Sequence, residues 1–300
     1  IVANLREQGA CSKEEGDRML AFTNNSGPLF IISSVGIALF GDTKTGLLLL
    51  ATHILACITV GIILAQVSRK RAKSFSYIAS SHTTSLHTRN EAITFSQLGG
   101  LLGNSIQHAI STILMIGGFV VIFSVIISML KHSHILAGMS NLIVPILSAL
   151  GFDTNFAIPV ASGMIELTNG VSLVAQIPMK SISQNIVLCA FLLGFGGISI
   201  LLQVFSLLNN TDLSIKTYVK GKFLQGIFAA FYTHIALQLF PFLNLDIVPT
   251  YAPIAETVVC PIEFLGVNSY FLVFLILLFI IWILVGCGHK ENSRQKYSSR

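Results

Sequence analysis

Two short polar runs interrupt an otherwise apolar chain, and both have the residue types that hold small polar ligands. The first is Thr23-Asn24-Asn25-Ser26-Gly27-Pro28, followed at once by Leu29-Phe30-Ile31-Ile32. Gly27 and Pro28 stop a helix arriving from the left, while Pro28 suits the first position of the next one. Asn25 or Ser26 then falls at or near the N-cap of that helix, whose first N–H groups lack intrahelical partners. A half-length helix starting this way offers free donors and about half a positive charge to an anion. The second run, from Ile158-Pro159 to Asn169-Gly170, places Ser162-Gly163 and Thr168 around Glu166. Among the acidic residues, only Glu166 has apolar helix on both sides and lies far from a charged loop. Such a group is costly in a membrane unless it faces a cavity or a partner. The candidate binding residues are therefore Asn24, Asn25, Ser26 and Gly27, together with Ser162, Gly163, Glu166, Thr168 and Asn169. The neutral ones can orient a small ligand. Glu166 can bind a coupling proton or cation, or donate a hydrogen bond when protonated, and the sequence leaves these open.

Composition sets the solvent in which these runs sit. Of 300 residues, 53% are hydrophobic and 10% charged, and the mean hydropathy is +0.78. A soluble domain carries about 25% charged residues. The expected fold class is an all-α polytopic membrane protein with broken or re-entrant helices. Spans of roughly 20 apolar residues are expected at 46–67, 103–130, 181–208, 218–242 and 269–287. The stretches 28–40 and 156–167 are too short to cross alone. Interrupted short segments of this kind are a sequence pointer to a transporter binding site. Gly194-Phe195-Gly196-Gly197 inside the third span suits close helix approach.

Charge placement orients the chain. Arg69-Lys70-Arg71 with Lys73, then Lys216, Lys220 and Lys222, and then Lys290, Arg294, Lys296 and Arg300 form basic clusters, whereas 242–268 has acidic residues and no Lys or Arg. The positive-inside rule puts 68–96, 209–220 and the tail in the cytoplasm. The expected organisation is a first half over 1–67, a basic linker over 68–96, a helical membrane region over 97–287 with its broken segment near 156–170, and a basic tail over 288–300. The two halves read as a repeated pattern of broken segment, spanning helix and basic loop. The net charge of +5 is read as membrane orientation and gives no nucleic-acid footprint. Five dispersed cysteines suggest no disulfide framework or zinc site. His132 and His134 read as helix-end residues, and His53, His234 and Gln238 as hydrogen-bonding groups within spans. Motifs for hydrolysis, zinc proteolysis and ATP use are not found. The chain opens on Ile1 without a signal peptide, and further membrane segments are expected upstream.

The order Thr23-Asn24-Asn25-Ser26-Gly27-Pro28-Leu29-Phe30-Ile31-Ile32 resembles the YlbJ-type sporulation integral membrane proteins, a group with a nucleoside-recognition or gate domain. Ser105-Ile106-Gln107, the run from Ile116 to Ile127, and Gly163-Met164-Ile165-Glu166-Leu167-Thr168-Asn169-Gly170 extend the likeness. Family members tend to have an aromatic residue where Ile165 stands, and they carry additional N-terminal membrane helices. The resemblance implies a mother-cell protein in the outer forespore membrane that moves dipicolinic acid towards the spore. It also implies a distant similarity to concentrative nucleoside transporters. The expected partners are a small anion, the bilayer and other sporulation membrane proteins, with no nucleic acid, no resident cofactor, and an unassigned oligomeric state. Nucleoside transport and a non-transporting scaffold for spore-envelope assembly stand as alternatives. An enzyme ranks last, since no nucleophile–base pair is found.

Overall fold

The computed structural model describes residues 1–75, 95–178, 183–209 and 211–239, and these form helices and turns with no strand among them. Most of the 68–96 linker, the 242–268 loop, the expected span 269–287 and the tail lie outside the described residues.

Two short helices lead in. α1 (Val2–Glu7) precedes α2 (Lys13–Thr23), which opens with a capping box. The Ser12 hydroxyl oxygen accepts from the Glu15 N–H, and the Glu15 carboxylate accepts from the Ser12 N–H at 2.9 Å. This reciprocal pairing satisfies two donors that a helix start leaves free. Both helices dock on the 209–214 connection. Arg6 grips the Asp212 carboxylate with two nitrogens at 2.8 and 2.9 Å, and Asp17 accepts from the Ser214 N–H at 2.6 Å.

Residues 24–27 are not helical, and the chain then forms a short helix, Phe30–Leu39, wound with the wider π pitch. It turns at Phe40-Gly41-Asp42 into α3 (Thr43–Phe75), which runs back alongside it. Asp42 starts α3 by accepting from Lys44 N–H, Thr45 N–H and the Thr45 hydroxyl. The two strokes of this hairpin meet backbone to backbone at Gly36 and Gly46.

α4 (Phe95–His132) is the most lipid-facing element. Ile106, Ile113, Leu114, Val121 and Met129 are all exposed, and it packs mainly through Phe123 and Ile127 near its C-terminus. α5 (Ile135–Ala149) carries Pro145, and a 3-10 turn at Thr154–Phe156 leads into α6 (Ala157–Ile165). α7 (Leu167–Ala175) folds back on α6, with Gly163 against Gly170. α8 (Ser183–Phe195) and α9 (Gly197–Leu208) follow, then α10 (Ile215–Leu239). α10 is the hub, contacting α8, α3 and α2. Its inward stripe is Tyr218, Lys222, Gln225, Ala229 and Thr233, all buried at helical spacing.

Among the described residues three stretches are long and apolar enough to cross a membrane: Thr43–Val67, Leu98–His132 and Ser183–Leu208. The first two match the expected spans. The expected single helix 181–208 is corrected, because Gly196 and Gly197 both have positive φ (87° and 82°) and divide it into α8 and α9. Glycine adopts that region without the Cβ clash other residues meet. The expected span 218–242 exists as α10 as far as Leu239, but its polar inward stripe keeps it out of that apolar class. The short segments expected at 28–40 and 156–167 appear as Phe30–Leu39 and Thr154–Ile165, while the short apolar helix Ile135–Ala149 was not anticipated.

α8 and α10 touch most tightly at Gly194 and Gly226, where a Cβ on Gly194 would stand 2.6 Å from the Gly226 Cα. Backbone cannot yield as a flexible side chain does. Gly194→Ala is expected to destabilise the bundle by about 1–3 kcal/mol, the usual cost of overpacking, read as a lower melting temperature in detergent. A second expectation concerns the N-terminal clasp. The hydrogen bond from Arg6 holds the Asp212 carboxyl below its ordinary range. A carboxyl with a lowered folded pKa contributes stability above its unfolded value of about 3.9 and loses it as pH falls through the folded one. Hydrogen exchange in α1, corrected for intrinsic rates, should show protection constant from neutral pH down to about pH 5 and lost well below that. Asp212→Asn should lose it at every pH.

Candidate functional site

The first interruption is built from the closing of α2. A helix leaves its last carbonyls without intrahelical donors. Here the chain supplies them itself. The Asn25 amide donates to the Phe22 carbonyl at 2.7 Å and the Lys222 ammonium to the Asn24 carbonyl at 3.0 Å, while the Thr23 hydroxyl adds a bond of 2.7 Å to the Met19 carbonyl one turn back inside α2. A cation at a helix C-terminus is also favoured by the helix dipole. Asn25 therefore serves the end of α2 and does not cap the next helix, which begins with the Ile31 N–H bonding to the Gly27 carbonyl.

Around this point α10 and α3 supply a connected polar cluster. Asn24 donates to the Tyr218 hydroxyl at 2.6 Å. The Lys222 ammonium also donates to Gln225 Oε1 at 2.8 Å, which fixes the Gln225 amide with its nitrogen pointing the other way. That nitrogen donates to Asn25 Oδ1 at 2.7 Å and lies 3.4 Å from His53 Nε2. Lys222 is 2% exposed and Gln225 0%. Asn25 and Gly27 are exposed, while Asn24 and Ser26 are half-buried.

Sequence reasoning placed Lys222 with Lys216 and Lys220 in one basic cluster. The structure divides them: Lys216 and Lys220 are exposed and Lys222 points into the bundle. A signal was available. Tyr218, Lys222 and Gln225 repeat at i, i+4 and i+7, one face of a helix.

The second interruption is a junction between two nine-residue helices. Glu166 has extended backbone (φ −140°, ψ 121°), ending α6 and capping α7. Its carboxylate accepts from the Thr168 N–H at 2.9 Å, the Asn169 N–H at 2.8 Å and the Thr168 hydroxyl at 2.6 Å. Glu166 is 3% exposed and Ser162 is fully buried, with no hydrogen-bond partner for the Ser162 hydroxyl among the described residues. Thr168 and Asn169 are half-buried. Gly163 lies against Gly170, which lets the two half-helices close. The Gly196-Gly197 interruption packs onto this junction: a Cβ on Gly197 would stand 3.0 Å from the Gly163 carbonyl oxygen and 3.3 Å from the Leu167 nitrogen. Two broken helices thus cross where their backbones are unwound.

The two groups of candidate residues are not joined by a hydrogen bond among the described residues. The helix Phe30–Leu39 does pack against α7, through the main core containing Ile31, Val35 and Val171. Other histidines take local roles. His132 Nδ1 lies 2.8 Å from the Ser128 carbonyl, and His134, with φ 59°, forms the junction into α5. His234 Nε2 lies 3.3 Å from Gln238 Nε2, one turn away on α10. Among the described residues no cluster of three His, Cys, Asp or Glu side chains could hold a metal.

A family model described as nucleoside recognition, the gate domain, matches residues 113–243. That range takes in Glu166, the Gly196-Gly197 break and Lys222, and leaves out 24–27. The chain is also similar to the sporulation integral membrane protein YlbJ of Bacillus subtilis (strain 168), 32% identical over 238 residues. The match covers 77% of this chain and 58% of that relative, so the chain spans well under two thirds of its length. No solved structure matches. With apolar spanning helices, interruptions at Asn24–Gly27 and Glu166, and this identity across most of its length, the chain belongs to the YlbJ-type sporulation integral membrane proteins with a nucleoside-recognition domain.

Proposed function

We propose that the protein is a secondary transporter that carries dipicolinate, a small aromatic dicarboxylate, from the mother cell towards the forespore across the outer forespore membrane. The observation that supports this reading is the crossing of the Glu166 junction with the Gly196-Gly197 break inside the helical bundle. Unwound backbone at membrane depth is tolerated where it is protein-buried or lines a path, and discontinuous helices form the binding sites of many transporters. The candidate ligand groups are Asn24, Asn25, Ser26 and Gly27 at one interruption, and Ser162, Gly163, Thr168 and Asn169 around Glu166 at the other. The lipid bilayer and other sporulation membrane proteins are its surroundings in this reading. Nucleoside transport is a second reading, favoured by the description of the matching family model. Competition of dipicolinate uptake by uridine would raise it above the first.

The test is dipicolinate content in separated mother-cell and forespore fractions, in strains carrying full-length wild type, a deletion, or Glu166→Ala at matched protein levels. Dipicolinate made normally but retained in the mother cell of both mutants is the expected result. Normal spore loading in the deletion strain would sink the transport assignment.

Two further outcomes follow from the junction geometry. Glu166 already accepts three hydrogen bonds from the start of α7. Losing a cap costs about 1 kcal/mol, so Glu166→Gln is expected to slow uptake into proteoliposomes a few-fold without moving its pH profile. A shifted profile would instead put a coupling proton on this carboxyl. At the crossing, Gly197→Ala meets both a positive φ and the Gly163 carbonyl. It should reduce uptake by more than about tenfold, roughly 1.4 kcal/mol, while membrane insertion stays normal.

A further inference from the structure

Lys222 is buried, and no charged partner for it stands among the described residues. It sits in the second turn of α10, 2% exposed, and both acceptors of its ammonium, the Asn24 carbonyl and Gln225 Oε1, are neutral. Among the described residues the one ion pair is Arg6–Asp212, at the N-terminal clasp. A buried cation without a counter-charge is expensive, and hydrogen bonds to neutral groups offset only part of that cost. An ammonium also has three N–H donors, and two are assigned here.

A second donor is fixed by the same network. Because Gln225 turns its oxygen to Lys222, its nitrogen faces His53 Nε2 as a donor, and His53 Nε2 must accept. The neutral imidazole then carries its proton on Nδ1. That Nδ1 atom is buried with no hydrogen-bond partner among the described residues, and His53 is 2% exposed. Groups of this kind are rare in folded proteins unless a ligand or water completes them. The cluster therefore holds a buried lysine nitrogen with a further N–H to give and, among the described residues, an imidazole N–H without a partner. Beside it lies the exposed Asn25, whose Oδ1 accepts from Gln225.

We infer that Lys222 and His53, positioned by Gln225, form a binding site for a carboxylate group of a small anion. The anion neutralises the ammonium and accepts from its third N–H and from His53 Nδ1–H, and Asn25 lies at the entrance. The assignment rests on the transport reading above for the identity of the cargo and adds to it the group that recognises the charge. It also moves the selectivity for anions from the start of the helix Phe30–Leu39 to the face of α10.

The experiment is equilibrium binding of radiolabelled dipicolinate to the full-length protein in lipid nanodiscs, for wild type, Lys222→Gln and Lys222→Arg, with pyridine-2-carboxylate and uridine as competitors. The expected result is a Kd at least tenfold higher in Lys222→Gln and largely restored in Lys222→Arg, with competition by pyridine-2-carboxylate and not by uridine. A second measurement serves should Lys222→Gln not fold. In wild-type protein labelled with ¹⁵N-lysine, the slowly exchanging ammonium signal of buried Lys222 should shift on adding dipicolinate, and an unmoved signal overturns the site. Binding unchanged in a folded Lys222→Gln protein overturns it too, even where spore loading still depends on Glu166, which leaves transport standing without this site. Binding lost in Lys222→Gln, in a protein whose deletion leaves spore loading normal, keeps the site and removes the transport reading.

Discussion

A backbone group released at a helix end must find a partner where it is buried in the protein, and this requirement shapes both interruptions. At the end of α2 the Phe22 and Asn24 carbonyls are met by Asn25 and Lys222. At the start of α7 the free N–H groups are met by Glu166. The side chains doing this have the sign the helix dipole favours, a cation at a C-terminus and an anion at an N-terminus. Without them the unwound segments would carry unsatisfied polar groups at a cost of several kcal/mol each. The interruptions are thus specified by particular residues and are not merely places where the helix is weak.

The remaining architecture holds these points in register. Glycine pairs Gly36–Gly46, Gly163–Gly170 and Gly194–Gly226 bring backbones into contact along three different helix seams. In lipid, where apolar burial between helices gains little, such close approach supplies much of the association energy. α10 runs past α8, α3 and α2, so its inward stripe reaches the end of α2. α4 stands outside this arrangement, and its large apolar side chains are exposed along most of its length.

Much of this was legible in the sequence, and the limits have physical causes. Gly27-Pro28 and the Pro159-to-Gly170 run read as interruptions because proline and glycine act locally through φ and a missing donor. Glu166 stood out because an isolated carboxylate in apolar sequence has few bland explanations. The break at Gly196 was missed since Gly194-Phe195-Gly196-Gly197 serves equally well for close packing, and composition does not reveal which glycine takes a positive φ. Lys222 was missed because the same residue type marks cytoplasmic loops. Whether a lysine two residues beyond Lys220 points out or in depends on the phase of the helix and on what waits on the other side. Asn25 was read as serving the helix that follows it, and only the fold shows that it serves the one before.

The two interruptions differ in how completely they are satisfied, and that difference carries the functional argument. Glu166 receives three donors, all from the helix it starts, and its charge is absorbed by the dipole and hydrogen bonds of α7. Lys222 gives to two neutral oxygens, and the neighbouring His53 keeps a buried nitrogen without a partner among the described residues. The Glu166 carboxylate can meet a ligand chiefly by giving up bonds it already makes, although the buried Ser162 hydroxyl beside it has no partner among the described residues. A site with spare donors and unbalanced charge gains by accepting one, and the gain is larger where water is excluded. By that reasoning the interruption with the carboxylate chiefly shapes the crossing of the broken helices, and the one with the lysine chiefly meets the anion. The candidate residues found by sequence thus divide by what their surroundings have left unpaired, which no reading of residue types alone would have separated.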